Sequence, residues 1–207
     1  MEAKSICNME IMVISSPLAV PDEHHIINAL FSAGLKYFHL RKPESSSKSI
    51  SDLLSGIKPE FYDRISIHQF HEMAADFGLK RLHYTEAART HSSAEQRRRQ
   101  IEAGFQLSTS IHDLQSVNEL HDFKYAFLGP VFDSISKPGY LGKINGKMNR
   151  DSQHTATRLI ALGGVSLSTL HTVRAMDFDG AAVLGCIWQE PAKALECYTQ
   201  LIKIKHQ

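Results

Sequence analysis

Short β-branched or aromatic segments alternate with amphipathic helical patterns along the chain, and this rhythm constrains the fold more than any other feature. Eight segments are predicted as strands: 11–15, 37–41, 65–68, 82–84, 105–110, 125–129, 158–162 and 181–184. Helical patterns lie at 23–33, 49–56, 72–77, 94–103, 114–120, 168–175 and 192–204. Strands that alternate with helices pair in parallel, so we expect an α/β protein with a (β/α)8 TIM barrel. A doubly wound open sheet is the alternative, although no predicted strand precedes a G-x-G-x-x-G pattern.

The composition suits one domain and argues against extended polyanionic partners. The chain has 207 residues, of which 43% are hydrophobic, enough for a full core in a single domain over residues 1–207. Its 23 Lys and Arg nearly balance 22 Asp and Glu, so we expect neither nucleic acid nor a membrane surface as partner. Glu2 and Lys4 near the start lack the apolar context of a signal peptide, which predicts a cytoplasmic protein.

The cysteines and histidines show no local metal-binding spacing. Cys7, Cys186 and Cys197 are far apart and form no C-x-x-C pair, so free thiols are expected. The 12 histidines include no H-E-x-x-H pattern. The sequence therefore predicts no structural metal.

Two glycine turns near the end of the chain predict a phosphate site. Ala161-Leu162-Gly163-Gly164-Val165 and Gly180-Ala181-Ala182-Val183-Leu184-Gly185-Cys186-Ile187 are apolar runs that reach glycine where a helix should begin. Free N–H groups and the positive end of the helix dipole attract anions there, and barrels often bind phosphate after their last two strands. The alternative for Gly163-Gly164 is a tight turn without a ligand.

Residues 133–153 interrupt the rhythm with many Ser, Gly, Pro and Asn residues and almost no apolar periodicity. This composition predicts a long loop after the sixth strand. Because it would hang over the carboxyl ends of the strands, where barrel active sites lie, we interpret it as a lid.

Polar side chains at the predicted strand ends would converge on one mouth of the barrel. They are His39, Arg41, His68, Gln69, His83, Ser110, His112, Ser134, Ser136 and Lys137. Carboxylates are scarce, since only Glu86 and Asp133 lie near these ends. Arg41 and Lys137 supply positive charge, which suits a doubly anionic substrate.

His112 is the candidate general acid or base, because it follows the fifth strand and imidazole titrates near neutrality. The alternative is a histidine that merely begins a helix. His39, His68 and His83 would each, taken singly, be satisfied core residues. Their recurrence at three strand ends makes them secondary candidates for proton transfer.

The segments at the strand ends resemble a known family over nearly the whole chain. They are Tyr37-Phe38-His39-Leu40-Arg41, Ser110-Ile111-His112, Gly129-Pro130-Val131-Phe132 with Ser134-Ile135-Ser136-Lys137, Leu162-Gly163-Gly164-Val165 and Val183-Leu184-Gly185-Cys186-Ile187. In this order they resemble the thiamine phosphate synthase and TenI-like thiazole tautomerase superfamily. The resemblance implies a barrel that holds a thiazole phosphate through Ser134, Ser136, Gly163, Leu184 and Gly185. We extend the substrate site to His39, Arg41, His68, Ser110, Ile135, Lys137 and Gly164.

Departures from the synthase pattern favour the tautomerase. The resemblance implies two magnesium-binding aspartates, and the matching positions here are Gln69 and Ala88. The synthases' second-strand pattern is Gln-x-Arg-x-Lys, and the matching residues here are His39-Leu40-Arg41-Lys42-Pro43, with the lysine displaced by one position. Strand alternation should therefore turn Lys42 away from the site. A synthase without magnesium loses stabilisation of its diphosphate leaving group, whereas a tautomerase needs only an acid/base group and an anion site.

The sequence therefore predicts a thiazole tautomerase without a cofactor, acting through His112 on a small phosphorylated thiazole. One alternative is a thiamine phosphate synthase with an unusual magnesium site, using Glu86 or Asp133. Another is a binder of thiazole or thiamine phosphate that has lost its chemistry. A homo-oligomer is compatible with all three.

Overall fold

A computed structural model of the chain describes residues 9–133 and 156–205. Within them, eight parallel strands close into a barrel in sequence order, which confirms the predicted fold. The strands are β1 (Glu10–Ile14), β2 (Phe38–Leu40), β3 (Ile65–Ile67), β4 (Arg81–Tyr84), β5 (Gln106–Ile111), β6 (Tyr125–Leu128), β7 (Arg158–Leu162) and β8 (Gly180–Val183). Each strand end lies within one residue of its prediction, because buried β-branched and aromatic runs mark strands clearly.

Helices cover the outside of the barrel. They are α1 (Glu23–Ser32), α2 (Ser47–Ser55), α3 (Met73–Asp76), α4 (Glu86–His91), α5 (Ala94–Glu102), α6 (Leu170–Ala175), α7 (Gly185–Trp188) and α8 (Ala194–Lys205). Short 3₁₀ helices lie at Pro59–Arg64, Gln115–Glu119 and Pro191–Lys193.

The helices depart from the prediction in two places. Residues 114–120 contain a 3₁₀ helix, Gln115–Glu119, in which only Val117 is buried. The sequence also missed α4, which begins where the Thr85 hydroxyl accepts a hydrogen bond from the Ala88 N–H at 3.1 Å. This helix buries no residue, so its sequence lacks the apolar stripe from which an amphipathic helix is predicted.

The barrel interior is divided between apolar and polar side chains. Its apolar part comprises Met12, Ile14, Tyr125, Phe127, Ile160 and Ala182. Its polar part contains His39, Ser66, His83 and Ser108, each at most 1% exposed. The Ser66 hydroxyl lies 3.2 Å from the Tyr125 hydroxyl, although 59 residues separate them in sequence. Buried polar groups of this kind persist where they find hydrogen-bond partners.

In the described segments, no helix combines the length and apolar character needed to cross a membrane. The predicted lid, residues 133–153, lies outside the described residues apart from Asp133.

Candidate active site

The predicted phosphate turns lie at the ends of β7 and β8. Gly163 and Gly164 have φ angles of 97° and 65°, in the left-handed region that glycine adopts without strain. A Cβ on Gly163 would lie 2.9 Å from the Cα of Pro130, so the bare backbone packs directly against the next loop. A Cβ on Gly185, the first residue of α7, would meet nothing within 4 Å. Within the described residues, these three glycine N–H groups donate to no backbone acceptor, which leaves them available to an anion.

The short helix α7 is fixed to the barrel at both ends. The Leu184 carbonyl accepts hydrogen bonds from the N–H groups of Ile187 and Trp188, each at 3.1 Å. The Trp188 indole donates to the Ile14 carbonyl at the end of β1, at 2.6 Å. The Trp188 indole therefore ties α7 to the end of β1, beside the mouth.

His112 lies directly after β5 at the same mouth. Its Nδ1 is 2.7 Å from the Gly129 carbonyl oxygen, and 54% of its side chain is exposed. Because a carbonyl only accepts, Nδ1 must carry the proton, and Nε2 of the neutral ring is then a free base. The Glu86 carboxylate lies 3.7 Å from Nε2, where it stabilises the ring once that nitrogen takes a proton.

Arg41 and Lys42 follow β2 and differ in their surroundings. Arg41 is exposed, and its backbone is held by Ser15, whose hydroxyl accepts from the Arg41 N–H at 2.8 Å and donates to its carbonyl at 2.9 Å. Lys42 is buried, forms an ion pair with Glu23 and donates to the Leu18 carbonyl at 2.7 Å. The guanidinium is thus available to a ligand, whereas the ammonium is bound to α1.

The residues at the family's magnesium positions do not fit a magnesium ion. The Gln69 side chain accepts from the Lys42 N–H at 3.1 Å and donates to the Pro43 carbonyl at 3.3 Å, so it braces the loop after β2. Ala88 offers a methyl group on the exposed surface of α4. Magnesium prefers several oxygen ligands in octahedral geometry, including carboxylates, and a bracing amide with a methyl group supplies no such set.

Beneath the mouth, three histidines from neighbouring strands form a buried cluster, the histidine cluster: His39, His68 and His83. His39 Nδ1 lies 2.9 Å from His68 Nε2, and the His68 ring stacks on the His83 ring with centroids 3.9 Å apart. The cluster continues to Tyr125, whose hydroxyl lies 2.9 Å from His39 Nε2. It reaches the mouth at Ser110, 3.0 Å from His83 Nε2.

Burial keeps the histidine cluster neutral. It lowers the pKa of His39 and His68 well below the usual 6.5, and that of His83 to about 3. Positive charge on neighbouring imidazoles and on Arg41 and Arg81 acts in the same direction. Desolvation disfavours an imidazolium, so these rings are uncharged at neutral pH.

The structure brings many of the predicted site residues together at or below one mouth. His112, Arg41, Ser110, Gly163, Gly164, Leu184 and Gly185 lie at the ends of strands, as the sequence predicted. His39 is 0% exposed and so presents no surface to a substrate, while His68 is 8% exposed. Ser134, Ile135, Ser136 and Lys137 lie outside the described residues.

Sequence reasoning missed two partnerships at this mouth. Glu86 was considered only as a metal ligand, although it lies beside His112 and pairs with Arg89 at 3.7 Å. Ser15 was not considered, although its hydroxyl holds the Arg41 backbone. The positions of both just after strands, at the same barrel end, were the signal that could have revealed them.

Comparison with known proteins identifies the family. A family model described as thiamine monophosphate synthase matches residues 11–187, which is most of the chain. No curated protein sequence matches significantly. Solved structures at low identity share the barrel fold. Thiamine phosphate pyrophosphorylase from Bacteroides thetaiotaomicron is 24% identical, with coverage of 96% of this chain and 98% of that one and a TM-score of 0.71.

Two other solved structures match this chain with similar coverage and similar TM-scores. Thiamine phosphate pyrophosphorylase from Pyrococcus furiosus is 12% identical over 97% of each chain, with a TM-score of 0.74. The 3-hexulose-6-phosphate synthase from Salmonella typhimurium is 14% identical, covering 96% of this chain and 99% of that one, with a TM-score of 0.65. The family match over most of its length shows that the chain belongs to the thiamine monophosphate synthase (TMP-TENI) family of thiamine-biosynthesis barrels.

Proposed function

We propose that this family member is a magnesium-independent thiazole tautomerase. The observation that carries the proposal is the contrast between two parts of the mouth. The magnesium positions hold a bracing amide, Gln69, and a methyl group, Ala88. By contrast, Nε2 of His112, at the same mouth as the glycine turns, makes no hydrogen bond to any described residue and lies 3.7 Å from the Glu86 carboxylate. A proton transfer needs the second arrangement and not the first.

The substrate is a carboxylated thiazole phosphate, which carries two anionic groups. Its phosphate binds the N–H groups of Gly163, Gly164 and Gly185, with Leu184 fixing the turn. Ser134, Ile135, Ser136 and Lys137, which come after β6 in the sequence, complete the site. Arg41, which is exposed, binds the carboxylate through its planar guanidinium. Ser110 and the exposed edge of His68 form the floor, and His39 supports that floor from below.

His112 moves the proton within the substrate. Nε2 takes a proton from one ring position and returns it to another, which yields the aromatic tautomer with no change in composition. Gly129 holds the Nδ1 proton throughout, so the reacting nitrogen keeps one tautomer. Glu86 stabilises the imidazolium between the two transfers, because its carboxylate lies 3.7 Å from the nitrogen that becomes charged.

An assay of the purified protein on both family reactions tests this proposal. Isomerisation of the carboxylated thiazole phosphate should proceed equally in excess Mg²⁺ and in a chelator. Magnesium-dependent formation of thiamine phosphate would overturn the proposal in favour of the synthase, to which Glu86 offers a carboxylate. Tight binding of thiazole phosphate with neither reaction would overturn it in favour of a non-catalytic binder.

A further inference from the structure

The histidine cluster has a use that the tautomerase chemistry does not require. Its members lie on or just after β2, β3 and β4, so barrel closure brings together residues that are far apart in sequence. One ring nitrogen of each histidine lies within 4.8 Å of one from each of the others. The site is 0% exposed at His39 and His83 and 8% exposed at His68, which faces the mouth. Three imidazoles this close form a nitrogen donor set.

The protonation state leaves lone pairs in this donor set. Three neutral imidazoles carry three protons on six ring nitrogens, so three nitrogens present lone pairs. Five of the six have hydrogen-bond partners, but His68 Nδ1 is buried and has none among the described residues. A cation that binds one nitrogen of each ring takes up the three lone pairs, and the other nitrogen of each ring then carries the proton.

We propose that His39, His68 and His83 bind a divalent transition-metal ion, with Zn²⁺ the best match to the donor set. Tetrahedral Zn²⁺ bound at about 2.0–2.1 Å holds its ligand nitrogens roughly 3.4 Å apart. The nitrogens of His39 and His68 are 2.9 Å apart, so they need to separate by only about half an ångström to reach that spacing. The ion binds between these two nitrogens, and the proton that they share moves to the second nitrogen of its own ring.

The surroundings of the cluster already orient two of the rings. His39 Nε2 contacts the Tyr125 hydroxyl at 2.9 Å. The two nitrogens of His83 contact the hydroxyls of Ser108 and Ser110 at 2.9 and 3.0 Å, so one contact gives way to the ion and the other holds the second nitrogen. A histidine that binds a metal usually holds its second nitrogen in such a hydrogen bond, which fixes the tautomer. The fourth ligand would be water or the Ser110 hydroxyl, which contacts His83 at 3.0 Å.

Charge and ligand type set what the site accepts. The positive charges of Arg81 and Arg41 lower the pKa of His39 and of His83 respectively and so oppose added positive charge, which favours an ion that forms strong coordinate bonds to nitrogen. Imidazole suits Zn²⁺, Co²⁺, Ni²⁺ and Cu²⁺, whereas Mg²⁺ prefers oxygen ligands. The site therefore discriminates against the ion that the synthases of this family use.

Titration of tag-free, chelator-treated full-length protein with Zn²⁺ alone tests the proposal. Calorimetry should show one high-affinity equivalent of Zn²⁺ and none of Mg²⁺. Co²⁺ should give the intense visible absorption of a four-coordinate site, and Zn²⁺ should abolish it. Absence of a stoichiometric Zn²⁺ site, or a purely octahedral Co²⁺ spectrum, would overturn the proposal whatever the variants do.

Variants then locate the ion. His68→Gln, at the most accessible of the three positions, should weaken Zn²⁺ binding by at least about 100-fold, more than loss of an outer hydrogen bond does. Tyr125→Phe removes the hydroxyl that contacts His39 and Ser66, and should weaken Zn²⁺ binding by about 10–100-fold. His171→Gln, on the exposed face of α6, should bind like the wild type. Wild-type affinity in a folded His68→Gln protein would place the ion elsewhere and refute the assignment.

Discussion

Acidification of the metal-free protein should unfold it through the histidine cluster. In the folded state burial holds the pKa of His39 and His68 well below 6.5 and that of His83 at about 3, whereas the unfolded chain takes up protons near 6.5. Below pH 6.5 the unfolded state therefore binds more protons, and stability falls as the pH falls. The loss continues until the folded rings protonate, near pH 3 for His83.

The size of the effect follows from this difference. Between pH 6.5 and 5.0 each ring that stays neutral in the fold costs about 2 kcal/mol, at about 1.4 kcal/mol per pH unit. His83, whose pKa falls to about 3, therefore reduces the free energy of unfolding by about 2 kcal/mol, and His39 and His68 add to the loss in the same direction. His71, whose pKa burial also lowers, adds to the same trend.

Urea unfolding at pH 7.5 and 5.0 in a chelator, followed by circular dichroism, measures this loss. His83→Gln keeps a side chain able to hydrogen-bond Ser108 and Ser110, and should lose about 2 kcal/mol less than the wild type over this range. His171→Gln on the protein surface should lose as much as the wild type. Equal stability of the wild type at the two pH values, or an unchanged loss in His83→Gln, would refute the account of a neutral cluster.

Three further predictions concern the mouth. Gly185→Val should weaken binding of thiazole phosphate by at least about 10-fold with little change in melting temperature, because its side chain enters the open space where the anion binds. Unchanged affinity by calorimetry would refute the phosphate site at Gly185. Arg41→Ala should raise KM about 10-fold or more and leave kcat within a few fold, because Arg41 binds the substrate carboxylate. A large fall in kcat with unchanged KM would instead show that Arg41 acts in the chemical step. Binding of thiazole phosphate should have the same Kd in Mg²⁺ and in a chelator, and tightening by Mg²⁺ would show that an oxygen-ligated site forms after all.

Local patterns in the sequence determined the barrel well. Buried runs such as Leu159, Ile160 and Ala161 mark a strand by composition alone, and their repetition between helices leaves few other folds. The sequence did not predict helix α4, because this helix buries no side chain and its clearest signal is the N-terminal cap at Thr85. Helix prediction from sequence depends largely on the spacing of buried apolar residues, and an exposed six-residue helix has none.

The site was predictable where one strand end sufficed and unpredictable where several strands meet. His112 and Gly185 follow their strands directly, so their place at the mouth followed from the fold. The contact between His112 and Glu86 depends on how two loops are directed after β4 and β5, which no spacing encodes. The histidine cluster was likewise hidden from a search for local metal motifs, because His39 and His68 are 29 residues apart.

The turnover of His112→Asn at saturating thiazole substrate tests the central claim most directly. A positioned acid/base group contributes typically about 10²–10⁴-fold to rate, so the variant should isomerise the substrate at least about 100-fold more slowly than the wild type. Its substrate affinity and melting temperature should change little, since the ring is 54% exposed and, among the described residues, its hydrogen bond goes to the Gly129 carbonyl. Near-full turnover in this variant would contradict the account, because proton transfer would then have to occur at another group.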